Sequence, residues 1–347
     1  MPGASDTLWD IAKAKVEKKE NNEGDRDGVE CWERSIFFIG NKTGGKTTII
    51  LRCLDRDEIP KPTLALEYTF GRRAKGHNTP KDIANFWELG GGTSLLDLIP
   101  IPITITNIRT FAVVLVLDLS KPNELWPTME SLLQVTRKHV EKIITKLGQT
   151  NPKAATEMKQ KIWNILPKDH PDRELIDPFP VPLVIIGSKY DLFHEFDSEI
   201  KKIIYKTLRF VSHYYGASLV FTSKSEALLL KARAVINHLA FGFDRSKSMT
   251  VDPNKPLFIP AGLDSLAQIG PPPATDSDIG KLRAQSPMDL WKKVFEKAFP
   301  PKEVRDPSQD PQYAEYEVDL MRAQKNQELE QYKRSASKTW KEMEFDS

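Results

Sequence analysis

One stretch of this sequence constrains the fold more than any other: Ser35 to Ile50, an apolar run followed directly by a glycine-rich turn. Gly40, Gly45, Lys46 and Thr47 occupy the fixed positions of the phosphate-binding pattern G-x-x-x-x-G-K-[ST]. Glycines at the two ends of the turn let the backbone fold tightly, so that several amide groups converge on one anion. A helix opening at Lys46 adds the positive end of its dipole. The Lys46 ammonium is then placed to reach the outer phosphates, and the Thr47 hydroxyl to ligate Mg²⁺. Gly40, Asn41, Lys42, Thr43, Gly44, Gly45, Lys46, Thr47 and Thr48 are therefore expected to form an anion cradle.

A strand feeding such a loop implies an α/β protein, and the rest of the chain agrees. Apolar runs at Ile36–Ile39, Ile83–Leu89, Phe111–Leu117, Pro182–Ile186 and Ser218–Phe221 read as strands, with Leu64–Phe70 a further one, antiparallel at an edge. Several are continuously apolar, as expected for strands covered on both faces. Helical patterns fall between them at 47–55, 123–147, 197–214 and 224–241. This alternation predicts a doubly wound, mostly parallel sheet with its ligand at the carboxyl ends of the strands.

The flanks differ in character. Thr7 to Asp10 fits a capping box, and Leu8, Ile11, Ala12 and Val16 continue at helical spacing with Trp9 beside them, so 1–30 reads as a short amphipathic helix and a charged tether. The α/β domain is expected over 31–245, with an insertion rich in Pro and Lys near 148–180 that carries a short helical pattern around Met158–Leu166. Residues 246–285, with three prolines at 271–273, read as a linker or a strap lying on the domain. A C-terminal helical extension over 286–347 begins with an amphipathic helix carrying Leu290, Val294 and Phe295 on one side. It ends in a charge-dense, solvated helix over 312–334.

Composition excludes several classes. The 347 residues carry 50 basic and 48 acidic side chains, a net charge of +2, which disfavours nucleic acid as a main partner. No apolar run approaches the roughly 20 residues that would insert through a membrane. The two cysteines, Cys31 and Cys53, lack zinc spacing and read as reduced thiols of a cytosolic protein. The six histidines show no metal-binding pairing, so no protein-only metal site is expected.

The phosphate loop alone does not choose the base. Val184 to Asp191 resembles the N-K-x-D element of Ras-like GTPases, with Lys189 and Asp191 matching and Ser188 in place of asparagine. In that family the aspartate reads the guanine edge and the lysine stem covers the base. Phe221 to Lys224 resembles the family's S-A-K loop, with Ser223 and Lys224 at the matching positions. Phe86 to Thr93 resembles switch II: Glu88 stands where the Mg²⁺-supporting aspartate belongs and Gly91 where a glycine senses the γ-phosphate. Gly92 takes the place of the glutamine that orients the attacking water, and Thr63 and Thr69 compete as the switch I threonine. The resemblance implies a Ras-like P-loop G-domain binding GTP or GDP with Mg²⁺ through Thr47 and Glu88, with hydrolysis slow or absent. Trp87 reads as a buried core aromatic. A cycling small GTPase and an adenine-nucleotide protein are the alternatives.

Taken with Leu66–Phe70, Leu117–Pro122, the N-terminal Leu8-Trp9 and the late Leu290-Trp291 helix, these segments make the chain similar to the dynein light intermediate chain family. The intact phosphate loop and short C-terminal region point to its dynein 2 branch. The resemblance implies a non-catalytic accessory subunit that binds and stabilises the dynein 2 heavy chain beside other dynein 2 subunits, and meets microtubules indirectly. It implies a role in retrograde intraflagellar transport and cilium assembly, with locations in the cytoplasm, cilium, basal body, axoneme and centrosome. The helices at 6–19 and 287–298 are the expected contacts with the heavy chain.

Overall fold

The computed structural model describes residues 33–74, 81–244, 248–273, 283–301 and 315–345, with the side chains of the last segment described to residue 335. The expected N-terminal helix, its tether and Cys31 lie outside the described residues. The chain divides into two compact units, the first ending at Pro301 and the second beginning at Lys302.

In the first unit seven strands form one sheet in the order β2-β3-β1-β4-β5-β6-β7. They are β1 (Glu33–Gly40), β2 (Leu66–Arg73), β3 (Asp82–Leu89), β4 (Phe111–Asp118), β5 (Leu183–Ser188), β6 (Ser218–Phe221) and β7 (Phe258–Ile259). The five inner strands are parallel, while β2 and β7 run antiparallel at the two edges. The unbroken apolar run of β4 follows from its place, since all eight of its residues are buried between two helical layers.

Alternation along β1 sorts its side chains to the two faces. Phe37 and Ile39 join a core with α2 (Pro122–Thr150) and α5 (Ser198–Tyr214), whereas Ile36 and Phe38 join one with α1 (Lys46–Cys53) and α6 (Glu226–Phe241). Helix α3 (Pro152–Trp163) packs against α2 within the expected insertion, capped by Asn151, whose side chain accepts from the Ala154 amide at 3.0 Å. A short α4 (Tyr190–Phe193) follows β5.

Of the two readings of 246–285, linker or strap, the described residues follow the strap. Phe258 and Ile259 pair with Val220 and Leu219 as β7, and the one-turn α7 (Leu266–Ile269) buries Ile269. Helix α8 (Pro287–Ala298) also belongs to this unit and not to a separate extension. Its buried side is Trp291, Val294 and Phe295, with Leu290 only half-buried. Trp291 stacks on Phe210 at 4.6 Å between ring centres and Phe295 meets Trp126 at 5.9 Å. Lys292 pairs with Glu130 at 2.6 Å. An indole on the buried side of a helix captures more apolar contact than a leucine one residue earlier, which explains the shift.

The second unit contains α9 (Tyr316–Phe345), a long helix whose described side chains are all exposed. No helix among the described residues is long and apolar enough to cross a membrane.

Candidate functional site: a phosphate-loop cleft

Gly40 ends β1 with φ +145°, and a Cβ there would fall 1.9 Å from the Val116 carbonyl oxygen of β4. No other residue fits that approach. The chain then turns through left-handed Thr43 and Gly45 (φ 60° and 89°) into α1. Hydrogen bonds from Asn41 N to Val116 O and from Gly44 N to Asn41 O, both 3.1 Å, hold the loop on the sheet.

The Asn41 side chain is committed to structure. Its amide donates to Thr128 Oγ1 at 3.1 Å and to Glu124 Oε2 at 3.4 Å on α2, while its Oδ1 accepts from Asp118 N at 3.0 Å. Its backbone N–H is likewise engaged, on Val116 O.

Lys46 is buried, its ammonium donating to Asn41 O at 2.9 Å and Gly40 O at 3.5 Å. Burial holds its pKa below the usual lysine value, with Glu88 pulling the other way. Thr47 Oγ1 donates to Glu88 Oε1 at 2.9 Å and lies 3.4 Å from Thr63 Oγ1. Burial raises the pKa of Glu88, opposed by the Thr47 hydrogen bond and the Lys46 charge. Three side-chain oxygens from three segments thus converge, a hard donor set of the kind that could hold Mg²⁺ beside phosphates. Among the described residues no cluster of His, Cys, Asp and Glu could hold a metal alone.

These groups line one cleft of about 280 Å³, with Lys42 to Thr48, Pro60 to Thr63, Glu88, Gly90 and Gly91 on its walls. Thr63 is in the cleft, and Thr69 lies within β2. The sequence left the two open because neither stands in a motif.

The switch II segment is pressed onto its neighbours. Gly90 N donates to Ala65 O at 2.6 Å, and a Cβ at Gly90 would meet Thr63 O at 2.5 Å. Gly91 and Gly92 are left-handed (φ 68° and 64°), and a Cβ at Gly92 would lie 3.2 Å from Lys42 N. Trp87 is half-buried, its ring 4.8 Å from Tyr68, and not the enclosed core residue its neighbours suggested. Edge strand β2 covers only part of it.

The base-reading candidates gather on two loops beside this cleft. Left-handed Lys189 (φ 58°) donates from Nζ to the buried Asp118 Oδ2 at 2.5 Å. Ser188 Oγ donates to Leu117 O at 3.1 Å, so the serine that replaces asparagine is spent on the sheet. Tyr190 N donates to Thr222 O (3.0 Å) and Thr222 N to Gly187 O (2.8 Å), tying the two loops together. Asp191 and Lys224 are exposed and Ser223 half-buried. None of these lines the phosphate cleft; Lys224 faces a separate cavity of about 410 Å³ with Arg52, Arg56 and Arg233. The Asn41–Asp118–Lys189 chain linking phosphate loop to base loop was not legible, because its members are distant in sequence.

The parallel sheet, the loop after β1 and the paired loops after β5 and β6 define the class: a P-loop protein with a Ras-like G fold. The family model for dynein light intermediate chains matches residues 31–174 and 163–271. The chain is 72% identical over 349 residues to cytoplasmic dynein 2 light intermediate chain 1 of Bos taurus, covering 99% of both proteins. It is equally similar, with the same coverage, to the Homo sapiens protein of that name. A crystal structure of the conserved domain of a dynein light intermediate chain matches with a TM-score of 0.54 at 16% identity, covering 80% of this chain and 100% of that one, and supports the fold. The chain belongs to the dynein light intermediate chain family.

Proposed function

We propose that this protein is a non-catalytic accessory subunit of the dynein 2 motor. It binds and stabilises the heavy chain for retrograde intraflagellar transport and cilium assembly. Its partners are the heavy chain and the other dynein 2 subunits, with microtubules reached only through the motor. Its places are the cytoplasm and the cilium, with basal body, axoneme and centrosome. Similarity along the full length to dynein 2 light intermediate chains supports this reading.

The cleft takes GTP or GDP with Mg²⁺ as a structural ligand. The backbone of Gly40 to Gly45 would hold the phosphates, Lys46 would leave its carbonyl partners to reach them, and Thr47, Thr63 and Glu88 would hold the ion. The ion would offset phosphate charge. Lys189, Asp191, Ser223 and Lys224 remain the proposed base contacts. One observation carries the non-catalytic reading: the water-orienting position is Gly92, without a side chain and packed on the Lys42 amide.

The test is affinity purification from ciliated cells, comparing wild type with Lys46→Ala for recovery of dynein 2 heavy chain. Wild type recovers heavy chain on this reading, and failure to do so sinks it. Loss in a folded Lys46→Ala variant means the nucleotide organises the motor-facing surface; equal recovery means the cleft is dispensable for assembly. Single-turnover GTP cleavage at a useful rate would overturn the non-catalytic assignment.

A further inference from the structure

The sheet is helix-covered on both faces along its middle, but not at β2. Residues 90–110, which join β3 to β4, form only two 3₁₀ turns, Leu96–Leu98 and Ile108–Thr110; Pro100 and Pro102 lie between them. Three aromatic rings and one cation therefore stand in a row beside solvent. Trp87 of β3 meets Tyr68 at 4.8 Å, Tyr68 meets Phe70 at 6.3 Å, and the Arg72 guanidinium lies 5.0 Å over Phe70. Tyr68 is 51% and Phe70 41% exposed, and Leu64 just before the strand is 85% exposed. Tyr68 is fixed by a 2.9 Å hydrogen bond to Asn85 Oδ1.

Strand β2 ends the sheet order, and among the described residues no strand lies outside it. Along it runs a cavity of about 470 Å³ whose charged lining is Arg56, Arg72, Arg73, Arg233 and Asp55. Asp55 pairs with Arg233, and Arg73 lies 3.6 Å over Phe243, which leaves the rim strongly positive. Arginines on an edge strand can serve simply to discourage pairing. A protected edge does not also need two exposed aromatic rings in register beside an exposed leucine, and that combination offers both contact area and a sign of charge.

We propose that β2 is a docking edge for an acidic, extended segment of a partner protein. The segment pairs with the β2 backbone as an eighth strand. Its alternate apolar side chains lie on the face of Tyr68 and Phe70, and its carboxylates, on the opposite face, meet Arg73 and Arg56. This goes beyond the motor-subunit reading and does not depend on it.

The test uses the full chain and three fluorescein-labelled peptides of equal length: alternating Glu and Val, alternating Glu and Pro, and alternating Lys and Val. Polarisation measures binding, and hydrogen exchange reports the amides of 66–73. Saturable binding of the Glu–Val peptide is expected, at least about tenfold weaker for the Glu–Pro peptide, which cannot pair as a strand. Reversing both charges with Arg73→Glu and Arg56→Glu should weaken it by a similar factor. Exchange should slow at 66–73 in the wild-type protein, a readout independent of how the variants fold. The proposal is overturned by no saturable binding, by equal binding of the Glu–Pro or Lys–Val peptide, or by protection confined to other strands. A peptide-free dimer in sedimentation with β2 amides already protected would also overturn it, by assigning the edge to a second copy.

Discussion

Lys46 is buried with two carbonyls as its hydrogen-bond partners, an arrangement that makes sense when an anion joins it. Lys46→Ala removes charge-assisted contacts worth about 1.5–3 kcal/mol. It should weaken binding of a fluorescent GDP analogue by about tenfold to a hundredfold, read by titration. At Gly92 the expectation concerns restoration. Gly92→Gln supplies the missing amide, but at a left-handed φ and 3.2 Å from Lys42 N. That strain costs about 1–2 kcal/mol. The variant should melt earlier and still give no GTP cleavage in a single-turnover assay. The turn of the loop after β1 was legible because its geometry is local: seven residues, Gly40 to Lys46, fix the turn, the amides and the lysine. Thr63 and the side-chain role of Asn41 were not, since each depends on what another strand brings near.

At the scale of elements, helix α8 is held by aromatic stacking more than by charge. Trp291→Ala removes the ring stacked on Phe210 and should cost about 3–5 kcal/mol in chemical denaturation. Proteolysis should become faster at 283–301. The strap is tied down by polar contacts. His213 Nε2 lies 2.8 Å from Asp172 Oδ2, which also accepts from Leu266 N at 2.8 Å, while Arg209 pairs with Asp264 in two bonds and His170 flanks the pair. Burial holds the His213 pKa below its ordinary 6.5, against the pull of Asp172. The unfolded chain therefore takes up the proton first as pH falls, and stability is lost below about pH 6.5. Thermal melts should show a lower Tm at about pH 5.5 than at about pH 7.5. The drop should be smaller in His213→Gln. The main strands and helices were readable because each is a continuous or periodic apolar run. Strand β7 was not, since two residues among prolines carry no period, and its pairing is set by β6 and Thr250.

For the whole molecule, the measurable consequence of the cleft is linkage. GDP with Mg²⁺ at 100 times its dissociation constant should add about 2.7 kcal/mol to stability, seen as a raised Tm. Chelating the ion should return part of that gain, and Lys46→Ala should show little of it. The fold was legible as a whole because strand and helix signals alternate through most of 35 to 241, although no α-helix separates β2, β3 and β4. The second unit was legible in a different way: α9 is charge-dense, and its described side chains are solvated.

One hydrogen bond, from Gly90 to the carbonyl of Ala65, lies where the wall of the cleft becomes the first residue of the edge strand. Two ligands that share a backbone segment are coupled through it, and equilibrium coupling has no direction. If filling the cleft changes the grip of the edge by some factor, filling the edge changes the grip of the cleft by the same factor. A protein with its edge occupied and one with its edge bare would then differ in how firmly they bind a ligand in the cleft, with no chemical step required to tell them apart.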